Sequence, residues 1–140
     1  MRFAVLFAVA LLCCPSAFAA ELKTREEAIA LTDQMISRIS AGDLRGGFGL
    51  AKPYFSVPPA EFEVMVDKAA EQTPVITARF GKSIGYEAIG NKTLGDSLDQ
   101  VIYLQRFEKH AMVWRFFLYR AGNGWVLQSF NFNNDLATAF

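Results

Sequence analysis

Two hydrophobic periods divide this chain. From Thr24 to Phe80 apolar side chains return at helical spacing, and from Ser83 onward they come in aromatic and β-branched runs. Thr24-Arg25-Glu26-Glu27 has the form of a capping box, in which Thr24 accepts from a first-turn N–H and Glu27 reaches back to the cap. Ala28, Leu31, Thr32, Met35, Ile36 and Ile39 follow on one face, and Gly42 offers a left-handed stop. Asp43 can cap a second, short helix that runs toward Lys52, although Gly46, Gly47 and Gly49 weaken it. A third helix opens at Pro58-Pro59 and carries Phe62, Met65, Val66, Ala69, Thr73, Ile76 and Phe80 as a stripe. Pro74 lies within that stripe and removes a donor, which predicts a kink or break near Thr73 before Gly81 ends the helix.

Four strands are predicted after the helices: 84–92, 98–108, 111–121 and 125–133. Gly122-Asn123-Gly124 is a tight hairpin signal, with Asn-Gly supplying positive φ, and Lys109-His110 is a short link for the preceding pair. Pairing through two-residue loops places Val101, Tyr103, Gln105 and Phe107 on one face with Met112, Trp114, Phe116 and Leu118. Strict alternation adds Trp125, Leu127, Ser129 and Asn131 to that face. The other face receives Ile102, Leu104, Arg106, Val113, Arg115, Phe117, Tyr119, Val126, Phe130 and Phe132. Both faces are largely apolar, whereas a half-solvated sheet alternates apolar and polar positions. Helices segregated before strands predict an α+β fold, with N-terminal helices packed on a curled antiparallel sheet of about four strands.

The start of the chain has a different character. Met1-Arg2-Phe3, an apolar run through Leu12 and the exit Ser16-Ala17-Phe18-Ala19-Ala20 have the layout of a signal peptide, with cleavage after Ala19. The run is shorter than the roughly 20 residues that span a bilayer, so no stable membrane anchor is expected. The chain then divides into a cleaved segment, 1–19, and a single domain, 20–140, delivered to the periplasm or secreted. Cys13 and Cys14 leave with the signal, and the domain is held together by its core alone. Lys+Arg and Asp+Glu stand at 14 each, without a run of one sign, a balance that points away from nucleic acid.

Candidate chemistry is sparse. With one histidine, His110, and no cysteine in 20–140, no zinc cluster of structural type can be assembled, and no cofactor is expected. Asp96, Asp99, Glu87 and Glu108 lack calcium-loop spacing. Gly81-Lys82-Ser83 lacks the upstream glycine of a phosphate loop. No Gly-x-Ser-x-Gly elbow is present.

Arg106-Phe107-Glu108-Lys109-His110, followed by Val113-Trp114-Arg115-Phe116-Phe117-Leu118-Tyr119 and Gly124-Trp125-Val126-Leu127-Gln128-Ser129-Phe130-Asn131-Phe132-Asn133, resembles the terminal hairpin of exported bacterial members of the nuclear transport factor 2-like superfamily. The order of elements is similar along the whole of 20–140. The resemblance implies a cone-shaped fold of the cystatin and nuclear transport factor 2 kind, a pocket between helices and sheet, and a dimer packed through the sheet. Fold alone selects no chemistry. Tyr103, Gln105, Trp114, Phe116, Ser129 and Asn131 are the residues expected to line a ligand pocket. The expected role is a non-enzymatic binding or interaction module that holds an apolar ligand or a partner chain. The alternative is a small isomerase, dehydratase or cyclase that uses Tyr103 with a carboxylate the sequence does not place. A homodimer is expected through the face carrying Phe117, Tyr119, Phe130 and Phe132, because monomers rarely expose large apolar patches. The competing cover for that face is the tail from Asp135 to Phe140.

The signal reading has a direct check. The intact mass of protein recovered from the exported fraction should equal that of the chain beginning at Ala20. A species retaining Cys13 or Cys14, or carrying a lipid, would contradict it.

Overall fold

The computed structural model describes residues 20–140. The cleavage expected after Ala19 and the whole of 1–19 lie outside the described residues. Three helices, α1 (Arg25–Ser40), α2 (Leu44–Ala51) and α3 (Pro59–Phe80), precede four strands, β1 (Ser83–Leu94), β2 (Leu98–Phe107), β3 (Ala111–Ala121) and β4 (Gly124–Asn133). A 3-10 turn at Lys52–Tyr54 follows α2, and another, Leu136–Ala139, closes the chain. The strands form one antiparallel meander in the order β1-β2-β3-β4. The α+β expectation holds.

The helix starts follow their caps. Thr24 Oγ accepts from Glu27 N–H at 3.1 Å, while the Glu27 carboxylate accepts from Lys23 N–H at 2.8 Å, one residue earlier than the box form implies. Ala28, Leu31, Thr32, Met35, Ile36 and Ile39 are all buried, and Gly42 turns the chain at φ +94°. Asp43 caps α2 by accepting from Gly46 N–H at 2.9 Å. The glycines that weaken α2 in the sequence have a packing reason in Gly47. A Cβ there would lie 2.8 Å from both the Met35 carbonyl and the Ile39 side chain, so glycine lets α2 press against α1.

Helix α3 does not show the break expected near Thr73. It runs 22 residues without a break through Pro74. Pro74 deletes a single ladder bond, and the helix is held on both sides of it. Phe62, Val66 and Ala69 bury its first half. At the other end Phe80 packs on Phe107 and His110, with ring centroids 5.9 and 4.6 Å away, and its carbonyl accepts from Lys109 N–H at 2.9 Å. Between Ala69 and Phe80 only Ala70 and Ile76 are partly buried.

The hairpins join the expected strands, with two local differences. Positive φ falls on Gly122, at +66°, and not on Asn123, which fits a primed turn with glycine first. The β2–β3 register pairs Arg106 with Ala111, Gln105 with Met112 and Tyr103 with Trp114, so the turn is Glu108-Lys109 and not Lys109-His110. The register lies two residues from the one that the Lys109-His110 link implies, a shift that leaves every side chain on its expected face.

The β3–β4 register does not obey strict alternation. Phe117 pairs with Ser129 and Leu118 with Leu127, so Gln128 is an extra residue in β4. One extra residue reverses which side every later position faces. Trp125 and Leu127 face the helices, and after the bulge so do Phe130 and Phe132. Phe130 lies 4.5 Å from the Phe48 ring, and Phe132 stacks on Trp114 at 4.4 Å. Ser129 and Asn131 fall on the far face, opposite Phe117 and Arg115.

This correction removes two of the four aromatics, Phe130 and Phe132, from the face on which dimerisation was expected. Phe117 and Tyr119 remain there. The chain also covers part of that face itself. Arg115 is buried and donates to the Thr138 carbonyl, holding the Leu136–Ala139 turn against β3. That turn is shaped by Asp135, which accepts from Ala137 N–H at 3.1 Å.

Candidate functional site

A cavity of about 270 Å³ opens where the C-terminal ends of α1 and α3 stand over β2, β3 and β4. Ile39 and Leu44 form one side, Ala69, Thr73, Ile76 and Thr77 of α3 form another, and Phe107, Met112, Trp114 and Phe132 form the floor. Its origin lies in the packing of α3. Ala69 and Phe80 are buried, and between them only Ala70 and Ile76 are partly buried, so these turns stand over the aromatic floor without closing on it. A wider groove of about 700 Å³ runs along the opposite side of α3, and Ile76, Met112 and Phe132 border both spaces. Ile76 is therefore the partition between them.

The polar groups of the cavity gather near the start of β1. Gln105 is buried with its amide in a fixed orientation: Oε1 accepts from Trp114 Nε1–H at 2.9 Å, and Nε2 donates to Ser83 Oγ at 3.0 Å. Ser83 thus receives one bond and keeps its own hydroxyl proton to donate. Thr73, Thr77, Ser40 and Lys82 complete the polar lining. The arrangement suits an apolar molecule with a hydrogen-bonding group at one end. Few, well-oriented polar groups in an apolar wall are the usual make-up of a small-molecule site.

Of the six residues expected to line a pocket, Gln105 and Trp114 do so. Tyr103 and Phe116 share their face but lie in the closed core, each at most 1% exposed. Ser129 and Asn131 are on the other side of the sheet because of the Gln128 bulge. The walls that sequence reasoning missed come from α1 and α3. The stripe containing Ala69, Thr73 and Ile76 was legible, but the space beneath it depends on how far α3 stands from the sheet.

Tyr103 is bound elsewhere. Thr32 Oγ donates to the Ile29 carbonyl at 2.8 Å, which leaves the Tyr103 hydroxyl as donor in its 2.9 Å bond to Thr32. Burial pushes the phenol up to about 12. Tyr86, which packs edge-on to Tyr103 and donates to Asp33 at 3.2 Å, is raised as well, chiefly by burial.

The buried carboxylate lies apart from both. Asp99, at the start of β2, is fully buried and receives the Arg25 guanidinium through Nε and, at 3.0 Å, through a terminal nitrogen. The same arginine donates to Thr93. The pair raises the Arg25 pKa, first through the hydrogen bond to Asp99. A two-pronged contact of this kind fastens the start of α1 to the β1–β2 hairpin. Among the described residues no group of three or more His, Cys, Asp or Glu side chains is placed to hold a metal.

No protein-family model matches the chain, and no curated protein matches it. Among solved structures it is similar to a cystatin-like protein from Ruminococcus gnavus, at 16% identity and a TM-score of 0.43. The similarity covers 92% of this chain and 42% of that one, so the chain spans less than half of that protein's length.

The Tyr103 geometry sets a pH dependence. The folded state retains a phenolic proton that the unfolded chain releases near pH 10. Its stabilising contribution is whole below that pH and is lost as pH rises from about 10 to about 12, a loss of up to about 3 kcal/mol. Thermal melts between pH 9 and 12 should fall more gently for Tyr103→Phe than for the parent. Equal slopes would contradict this assignment.

Proposed function

We propose that this domain is an exported, non-enzymatic binding module of the nuclear transport factor 2-like kind, which holds a small apolar ligand beneath α3. The cavity carries the reading: an apolar floor of Phe107, Met112, Trp114 and Phe132, with one fixed amide and one available hydroxyl at the end near Ser83. About 150 Å³ accommodates one benzene, so 270 Å³ suits roughly a two-ring molecule. The order of elements and a pocket between helices and sheet support the superfamily assignment.

The acid–base alternative fares worse on the same geometry. Its donor, Tyr103, is bonded to Thr32 and does not border the cavity. Asp99 is tied to Arg25 in a different cleft, and Glu87 pairs with Arg106 at 3.3 Å on the sheet's other face. Export is part of the proposal and rests on the N-terminal pattern. The contact at Ala20 is compatible with cleavage just before it, since its nitrogen donates to the Pro53 carbonyl at 2.8 Å, a bond that a new α-ammonium would keep.

2-Naphthol, which has two fused rings and one hydroxyl, is a suitable probe. Calorimetry and ligand-observed NMR should detect saturable binding to the parent. Thr73→Trp places an indole in the cavity from an exposed position of α3, and should weaken binding at least about tenfold with little change in melting temperature. Absence of saturable binding by the parent, or binding indifferent to Thr73→Trp, would contradict the proposal.

A further inference from the structure

The two edges of the sheet are treated differently by the chain. The outer edge of β4 is covered: Leu22 bridges Trp125 in antiparallel fashion, and Phe55 bridges Leu127 in parallel, with Ser56 N–H donating to the Leu127 carbonyl. The outer edge of β1 has no strand or bridge beside it among the described residues. That edge belongs to a 12-residue strand whose last eight positions are all exposed. Ile84, Ile89 and Leu94 show 56%, 38% and 69% of their surface. A long edge with open N–H and C=O groups and exposed apolar side chains is a template for another strand.

The order of side chains along β1 indicates which strand fits. Ile89 is an extra residue, since Ala88 pairs with Tyr103 and Gly90 with Ile102. The bulge reverses the facing of positions after it, so Gly85, Glu87, Gly90, Lys92 and Leu94 share the outer face, opposite Arg106, Leu104, Ile102, Gln100 and Leu98. Antiparallel neighbours must match outer with outer.

We propose that β1 pairs with β1 of a second copy, antiparallel about a two-fold axis between Ile89 and Gly90, joining the two meanders into one continuous sheet. That register places Glu87 opposite Lys92 of the second copy, twice by symmetry. It sets Gly85 against Leu94, Tyr86 against Thr93 and Ala88 against Asn91, each pair on one face. At the axis Ile89 lies over the Gly90 of the other copy, where the missing side chain leaves room. Arg106, already 3.3 Å from Glu87, becomes the third member of each cross-copy charge group. The strand therefore complements itself in charge, in facing and in size, and a second copy is the occupant that supplies all three. This edge is separate from the cavity, and the pairing does not depend on ligand binding.

An interface of one strand pair is small beside the 1,200–2,000 Å² of a standard one, so association is expected in the micromolar range or weaker. Sedimentation equilibrium of the purified protein from about 5 to 500 μM should show reversible dimerisation. Lys92→Glu and Glu87→Lys each set like charges face to face twice, and each should weaken the dimer about tenfold or more. The double variant Glu87→Lys with Lys92→Glu restores opposite charges and should recover the parent's affinity to within about threefold. Circular dichroism should show all three variants folded, because both positions are exposed. A parent that stays monomeric throughout overturns the proposal. So does a dimer indifferent to both single changes, one not rescued by the double change, or one abolished by Phe117→Glu, which would move the contact to the face of the sheet.

Discussion

The position of Gln128 in β4 governs which side of the sheet receives Phe130 and Phe132, and with them most of the inner architecture. With the bulge, the helix side of the sheet gains two rings, one against Phe48 of α2 and one stacked on Trp114. Phe48 then sits among Phe62, Trp114 and Phe130, with centroids between 4.5 and 6.5 Å. This aromatic group ties α2, α3 and the last two strands into one core. Rings of this size contribute heavily to core energetics through buried area alone, with a further increment from tilted and stacked contacts. Without the bulge the same rings would face water, while Ser129 and Asn131 would meet the helices.

The same floor explains the cavity. Phe132 and Trp114 lie on the sheet surface below the second half of α3, where only Ala70 and Ile76 are partly buried between Ala69 and Phe80. The intervening turns stand over a space. Pro74 lies in this stretch, where a lost ladder bond is easiest to bear because the surrounding helix surface is solvated. The binding proposal and the unbroken helix thus share one setting, a stretch of α3 between buried Ala69 and Phe80 that stands over a stacked aromatic pair.

Much of the architecture was legible because it depends on local signals. Thr24, Asp43 and Gly42 set helix ends through local contacts, and the facing of the β2 and β3 side chains follows from period two, although their register does not. What was not legible depends on a register or a distance. Nothing in Leu127-Gln128-Ser129-Phe130 marks a bulge except that two aromatics two residues apart would otherwise face water, a pattern that a dimer surface explains equally well. Gln105 and Trp114 were found as pocket residues because they lie before the bulge in the meander. Ser129 and Asn131 were misplaced because they lie after it. The Arg25–Asp99 contact joins residues 74 apart in the chain, and neither position announces the other. The tail covers part of the outer face, with Arg115 and the Thr138 carbonyl supplying the attachment.

The core, the cavity and the composition of the outer face all rest on the inward turn of the β4 aromatics. A NOESY spectrum of the protein in solution tests it directly at Trp114. Cross-peaks from the indole protons to the Phe132 ring are expected, given a centroid separation of 4.4 Å. None is expected to the Asn131 side chain. Cross-peaks to Asn131 with none to Phe132 would mean that β4 keeps strict alternation, and would contradict the account.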